Sequence, residues 1–134
     1  MAVSNDLWKT EAIQRFPDLV EWFTDADTPY LLWFELFDAF QQAHKNPRNE
    51  DLIRRIYAYA AWCESQPRGP TADDDLATCV TVCFTEHIPT IPEALDDMPR
   101  WFTREQVEHM KETFVYQVGE AGYSEILARF DRSK

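Results

Sequence analysis

Glycine is scarce in this chain of 134 residues, occurring only at Gly69, Gly119 and Gly122. Phosphate-cradling loops of the Walker or dinucleotide type need several glycines in one short run. No such loop can be written here, which removes the commonest nucleotide-binding enzymes. Cysteine is equally sparse. Cys63, Cys79 and Cys83 are an odd set in a core-forming chain, so reduced thiols are expected rather than a disulfide framework. The first residues, MAVSNDLWKTEAIQ, hold no apolar stretch of the signal-peptide kind. The most apolar segment, Tyr30 to Phe40, is too short and too interrupted to span a bilayer. The expectation is a cytoplasmic protein without membrane association.

Positive charge is missing from one region altogether. Residues 72–99 carry seven acidic side chains and no Lys or Arg, within a chain of net charge −11. Residues 47–71 lean slightly basic, and residues 100–134 balance. Duplex DNA or RNA would be repelled by such a surface, so nucleic-acid binding is not expected. An acidic patch favours a basic protein partner and speeds its capture. It also keeps a protein soluble without any partner, which is the plainer reading.

What the chain has is apolar and aromatic mass, 45% and 14% of its residues. That argues for a folded domain, and the length suits a single one over 1–134. The stretch TPYLLWFELFDAFQQAHK, Thr28 to Lys45, organises the rest. Thr28 can N-cap a helix and Pro29 fits its first turn. Tyr30, Trp33, Phe34, Phe37 and Phe40 form one apolar face, with Leu32, Leu36, Ala39 and Ala43 beside it. Glu35 and Asp38 share a narrow polar stripe with Gln42 and Lys45. A helix apolar over most of its circumference is usually enclosed by others. His44 near its end suits the helix dipole.

Other helices follow the same logic. Asp6 to Arg15 is amphipathic, and Pro17 separates it from a short turn over Asp18–Phe23. Asn49 can cap a helix whose inward stripe is Leu52, Ile53, Ile56, Tyr57, Ala60 and Cys63, flanked by Tyr59 and Trp62. Ala58 and Ala61 on another side would admit a close neighbour. Gln66 to Pro70 is the strongest breaker in the chain. Thr71 to Ile88 reads as a helix starting at Asp73-Asp74-Asp75, with Leu76, Val80, Cys83, Phe84 and His87 inward. Its β-branched residues make local propensity poor. A strand over Thr78–Phe84 is the alternative, but no second strand could pair with it. Pro92 starts a short turn through Met98. Thr103 to Gln106 fits a capping box opening a helix that Gly122 stops, and Ser124–Phe130 is a last short helix. The sum is an all-α, compact single-domain bundle of five to seven helices. Solenoid-like stacking of antiparallel pairs is the variant arrangement, unsupported by any sequence repeat.

Candidate chemistry is thin. Cys79, Cys83 and His87 stand at i, i+4 and i+8, with Cys63 on the preceding helix, and all are zinc-ligand types. Cys79 and His87 would lie about 12 Å apart along the axis, too far for one ion. Small core residues and a helix-end histidine explain the pattern better. A Cys83–His87 nucleophile has no oxyanion hole beside it. Glu105, Glu108 and Glu112 around His109 read as a solvated face. No catalytic, cofactor-binding or metal-binding residue is assigned, and no enzyme activity is expected. The acidic lobe remains: Asp73, Asp74, Asp75, Glu86, Glu93, Asp96 and Asp97, with Trp101 as an aromatic anchor or, equally, a core residue. An acidic rim around aromatic anchors would suit masking of a basic surface.

DLIRRIYAYAAWC (Asp51–Cys63) followed by DLATCVTVCFTEHI (Asp75–Ile88) resembles a group of small bacterial helical proteins. Such small acidic helical proteins look like the immunity proteins of bacterial toxin systems, which occlude a cognate toxin. The resemblance implies a cytoplasmic inhibitor of a basic toxin domain, with no activity and no cofactor of its own. A helical adaptor or dimerisation module is the alternative, and a metal- or thiol-dependent enzyme ranks below both.

Overall fold

The structure, a computed structural model, describes residues 7–45, 47–67 and 75–132. It is all-α, with eight α-helices and no strand among the described residues. Thr78–Phe84 is therefore helical up to Cys83, not a strand. No helix of the described residues is long and apolar enough to cross a membrane. The helices group into two compact units, one ending at Phe84 and the other beginning at Thr85.

The first unit holds α1 (Leu7–Arg15), a 3-10 turn (Pro17–Leu19), α2 (Val20–Phe23), α3 (Pro29–Ala43), α4 (Glu50–Glu64) and α5 (Leu76–Cys83). At the start of α3 the Thr28 hydroxyl accepts from the Leu31 N–H at 3.3 Å, and Pro29 takes the first turn. At its end the backbone of buried His44 turns back to the Gln41 carbonyl, 3.2 Å. That leaves the Phe40 carbonyl to the His44 ring, whose Nδ1 lies 2.7 Å away. A carbonyl only accepts, so the proton sits on Nδ1 and the imidazole caps the helix.

On α4, Asn49 accepts from the Leu52 N–H at 3.1 Å, and Leu52, Ile53, Ile56, Ala60 and Cys63 are buried. The two tyrosines exchange their expected places. Tyr59 is 1% exposed, whereas Tyr57 is half-buried. Tyr59 stands at i+7 from Leu52, in line with Ile56 and Cys63, and its hydroxyl donates to the Trp8 carbonyl at 2.8 Å, so the ring is buried without orphaning the oxygen. Ala58 and Ala61 are exposed rather than covered by a neighbour.

α5 is much shorter than the spacing predicts. Phe84 leaves helical geometry at φ −129, ψ −69, and its ring stacks on Trp33 at 5.0 Å. Trp33 in turn stacks on Tyr59 at 5.4 Å, and Phe40 meets Phe84 edge-on at 4.8 Å. With Thr78, Thr81 and Val82 giving little local drive, this aromatic packing decides where the helix stops. Arg55 ties the periphery together: it reaches Asp18 and Asp51, each at 2.9 Å, and the Arg15 carbonyl at 3.1 Å.

The second unit holds a 3-10 turn (Thr85–Thr90), α6 (Pro92–Trp101), α7 (Arg104–His109) and α8 (Lys111–Arg132). α6 is longer than a single turn and carries Pro99 inside its last turn. The capping box is present, with Thr103 Oγ1 accepting from Gln106 N–H at 3.0 Å and Gln106 Oε1 from Thr103 N–H at 2.8 Å. The helix it opens is not continuous to Ala121. It ends at Met110, and α8 is broken at Gly119, whose φ 77, ψ 175 only glycine adopts readily. Gly122, expected as the stop, lies within the second half of α8. There a Cβ would stand 2.5 Å from Val118 Cβ, so this glycine permits a close approach.

Candidate functional site: the acidic surface

The structure distributes the predicted acidic lobe over both units. Asp73 and Asp74 lie outside the described residues. Asp75 is buried just before α5, its Oδ2 accepting from the Thr78 hydroxyl at 3.0 Å. That is the electropositive end of the helix, where a carboxylate is stabilised. The other members belong to the second unit.

Glu86 and His87 sit in the 3-10 turn, His87 Nε2 lying 3.6 Å from Glu86 Oε1. Glu93, Asp96 and Asp97 stand at i, i+3 and i+4 on α6 and therefore share one face. Trp101 ends that helix half-buried, with the Arg100 guanidinium over its ring at 5.0 Å. The structure brings together the three α6 acids and Trp101.

Two cations that the segment count leaves out stand on this face. Arg129 from α8 reaches Asp96 at 3.0 Å and Glu125 at 2.6 Å, and Arg100 approaches Asp97 at 3.6 Å. Asp96, Asp97 and Glu125 thus face two guanidiniums, and Glu93 adds a fourth carboxylate on the same helix as Asp96 and Asp97. The local balance stays negative, but far less so than residues 72–99 suggest. The signal was in the sequence only as six basic residues beyond position 99, with nothing to say which would fold back.

The thiol and metal-ligand candidates separate. Cys63, Cys79 and Cys83 are buried in the first unit. The helical phase that would carry the stripe on to His87 is lost at Phe84, and His87 belongs to the second unit. Burial pushes the Cys63 thiol up to about 12, which suits a core residue and not a nucleophile. Among the described residues no three His, Cys, Asp or Glu side chains gather as a metal ion would need. On α7, Glu108 pairs with Arg104 at 3.2 Å, and Arg104 also holds Asp131 at 2.7 Å.

A different group of carboxylates is exposed and has no ion-pair partner among the described residues: Glu21, Asp25, Asp27, Glu35 and Asp38. Between Arg15 and Lys45 the chain has six acids and no Lys or Arg. Lys9 comes among these residues, but its Nζ bonds the carbonyls of Thr24 and Ala26, at 3.0 and 3.1 Å.

Comparison with curated proteins and with solved structures finds no match. A family model does match, over residues 10–115, from within α1 to the first turns of α8. The chain therefore belongs to the family described as Domain of unknown function (DUF7674).

Proposed function

We propose that this protein is a non-catalytic inhibitor of the immunity type, which binds a basic toxin domain through its acidic surface. The observation that supports it is the α6 face, where Glu93, Asp96 and Asp97 line up beside Trp101. Two guanidiniums leave that face with net negative charge, enough to attract a cationic protein over a Debye length of about 8 Å. Paired Asp–Arg groups hold the carboxylates in place, so less ordering is needed when a partner arrives.

The test is affinity capture from lysate of the native organism at low and high salt, followed by co-expression. A basic protein retained at low salt and released at high salt is expected. Glu93→Gln, Asp96→Asn and Asp97→Asn together should abolish its retention. Expression of the captured protein alone should arrest growth, and co-expression should relieve the arrest. If capture survives high salt or these substitutions, the inhibitor reading fails. The adaptor reading then takes its place, favoured by Leu31 and Phe34, which stand 44% and 58% exposed on α3.

A further inference from the structure

We infer that the outer face of α3 is a docking surface for a basic amphipathic helix of a partner protein. The site is distinct from the α6 face and does not depend on what the partner does.

α3 was expected to be enclosed, and one side of it is. Leu32, Trp33, Leu36, Ala39, Phe40 and Ala43 are buried. The opposite side is open. Leu31 and Phe34 stand one turn apart, 44% and 58% exposed, and half-buried Tyr30 and Phe37 extend the same ridge at i, i+4 and i+7 with Phe34. Glu35 and Asp38 run alongside, exposed and without an ion pair among the described residues. The face is therefore an aromatic ridge bordered on one side by free carboxylates. Phe34 is among the most exposed large apolar side chains of the described residues, and contiguous exposed apolar surface is a feature of interaction sites.

Charge says what covers it. Several carboxylates elsewhere in the described residues find arginines, Asp18 and Asp51 on Arg55, Glu11 on Arg15, Asp96 and Glu125 on Arg129, while single ones such as Glu93 and Glu105 do not. From Glu21 to Asp38 none does, and no Lys or Arg occurs there. A second copy of the chain would bring the same negative face to itself, and an anionic membrane surface would be repelled. A helix with apolar residues at i, i+3, i+4 and i+7, flanked by Lys or Arg, matches both features at once. The 15 residues of α3 extend about 22 Å, enough to seat three to four turns of such a helix.

The experiment uses the full chain and a synthetic Leu/Lys peptide of about four turns, with leucines at that spacing. A peptide of the same composition in shuffled order is the control. Binding is read by calorimetry and by amide chemical shifts. The expected result is binding of the amphipathic peptide alone, with shifts concentrated on α3. Phe34→Ala should weaken it at least about tenfold. Glu35→Gln with Asp38→Asn should weaken it and flatten its salt dependence, while Asp96→Asn with Asp97→Asn should not. Absence of binding, equal affinity for the shuffled peptide, indifference to Phe34→Ala, or shifts mapping to α6 would each overturn the inference. So would a concentration-dependent dimer that Phe34→Ala disperses, since a second copy would then be the occupant. Failure here leaves the α6 substitutions as the separate test of the inhibitor reading.

Discussion

Replacing Tyr59 separates two contributions that one residue makes to the first unit. Its ring stacks on Trp33 at 5.4 Å and meets Phe16 edge-on at 5.8 Å, and it is 1% exposed. Its hydroxyl donates to the Trp8 carbonyl at 2.8 Å, joining α4 to α1 across 51 residues of chain. Burial pushes the phenol pKa upward, so the hydroxyl stays a donor throughout the working pH range. Tyr59→Phe keeps the ring and removes only that bond. The Trp8 carbonyl lies in the first turn of α1 and retains its place in the helical ladder. The cost is then about 1 kcal/mol, the net value of one neutral hydrogen bond. Tyr59→Ala also removes the ring from a site closed by Trp33 and Phe16, and about 4 kcal/mol is expected for a cavity of that kind. Urea unfolding followed by tryptophan fluorescence gives both values, provided the slope is unchanged. Amide hydrogen exchange then locates the smaller effect. In Tyr59→Phe the amides of α1 should exchange about fivefold faster, as 1 kcal/mol implies, if they open locally. A Tyr59→Phe variant as stable as the parent, with unaltered exchange in α1, would refute the role given to the hydroxyl. A Tyr59→Ala cost no larger than that of Tyr59→Phe would refute the role given to the ring.

The Arg55 guanidinium beside Asp18 holds that carboxyl below its ordinary 3.8. A lowered folded pKa means stability present above the unfolded value and lost as pH falls through the folded one. Acid unfolding monitored below about pH 4 should therefore show a slope that Arg55→Gln reduces, and an unchanged slope would exclude the pair as its source. Gly119→Ala should cost about 1–3 kcal/mol in thermal unfolding through backbone strain alone, because no atom lies within 4 Å of the added Cβ. Gly119→Asn should give no relief, since ψ 175 lies outside the left-handed helical region; rescue by Asn would contradict the assigned geometry. Cys63, Cys79 and Cys83 should resist a water-soluble thiol reagent in the folded protein and all react after denaturation. Rapid labelling of any one before unfolding would reopen the thiol-enzyme reading.

Much of the fold was legible because its signals are local. Thr28-Pro29, Asn49 and Thr103 with Gln106 start helices through bonds that span three residues, and each is made as the spacing predicts. The all-α class follows from the same periodicities. The end of α5 and the break inside α8 were not legible. α5 stops where Phe84 finds Trp33, a partner 51 residues away, and the break at Gly119 depends on which of two nearby glycines takes the unusual φ. Tyr59 takes the buried place expected of Tyr57 because it stands at i+7 from Leu52, in line with Ile56 and Cys63, a spacing the sequence already carried, and the Trp8 carbonyl then takes its hydroxyl.

The acidic site divides along the same line. Sequence alone determined the net charge, the absence of Lys and Arg over residues 72–99, and the small stock of groups able to do chemistry. Only the tertiary structure decided which acids stay unpaired. Arg129 returns to Asp96 across 33 residues and Arg55 to Asp18 across 37, while Glu35 and Asp38 on α3 are left without a cation among the described residues. Coulombic pairing acts through space over a few ångströms, so a charge count along the chain fixes the total and the folded surface fixes where it remains.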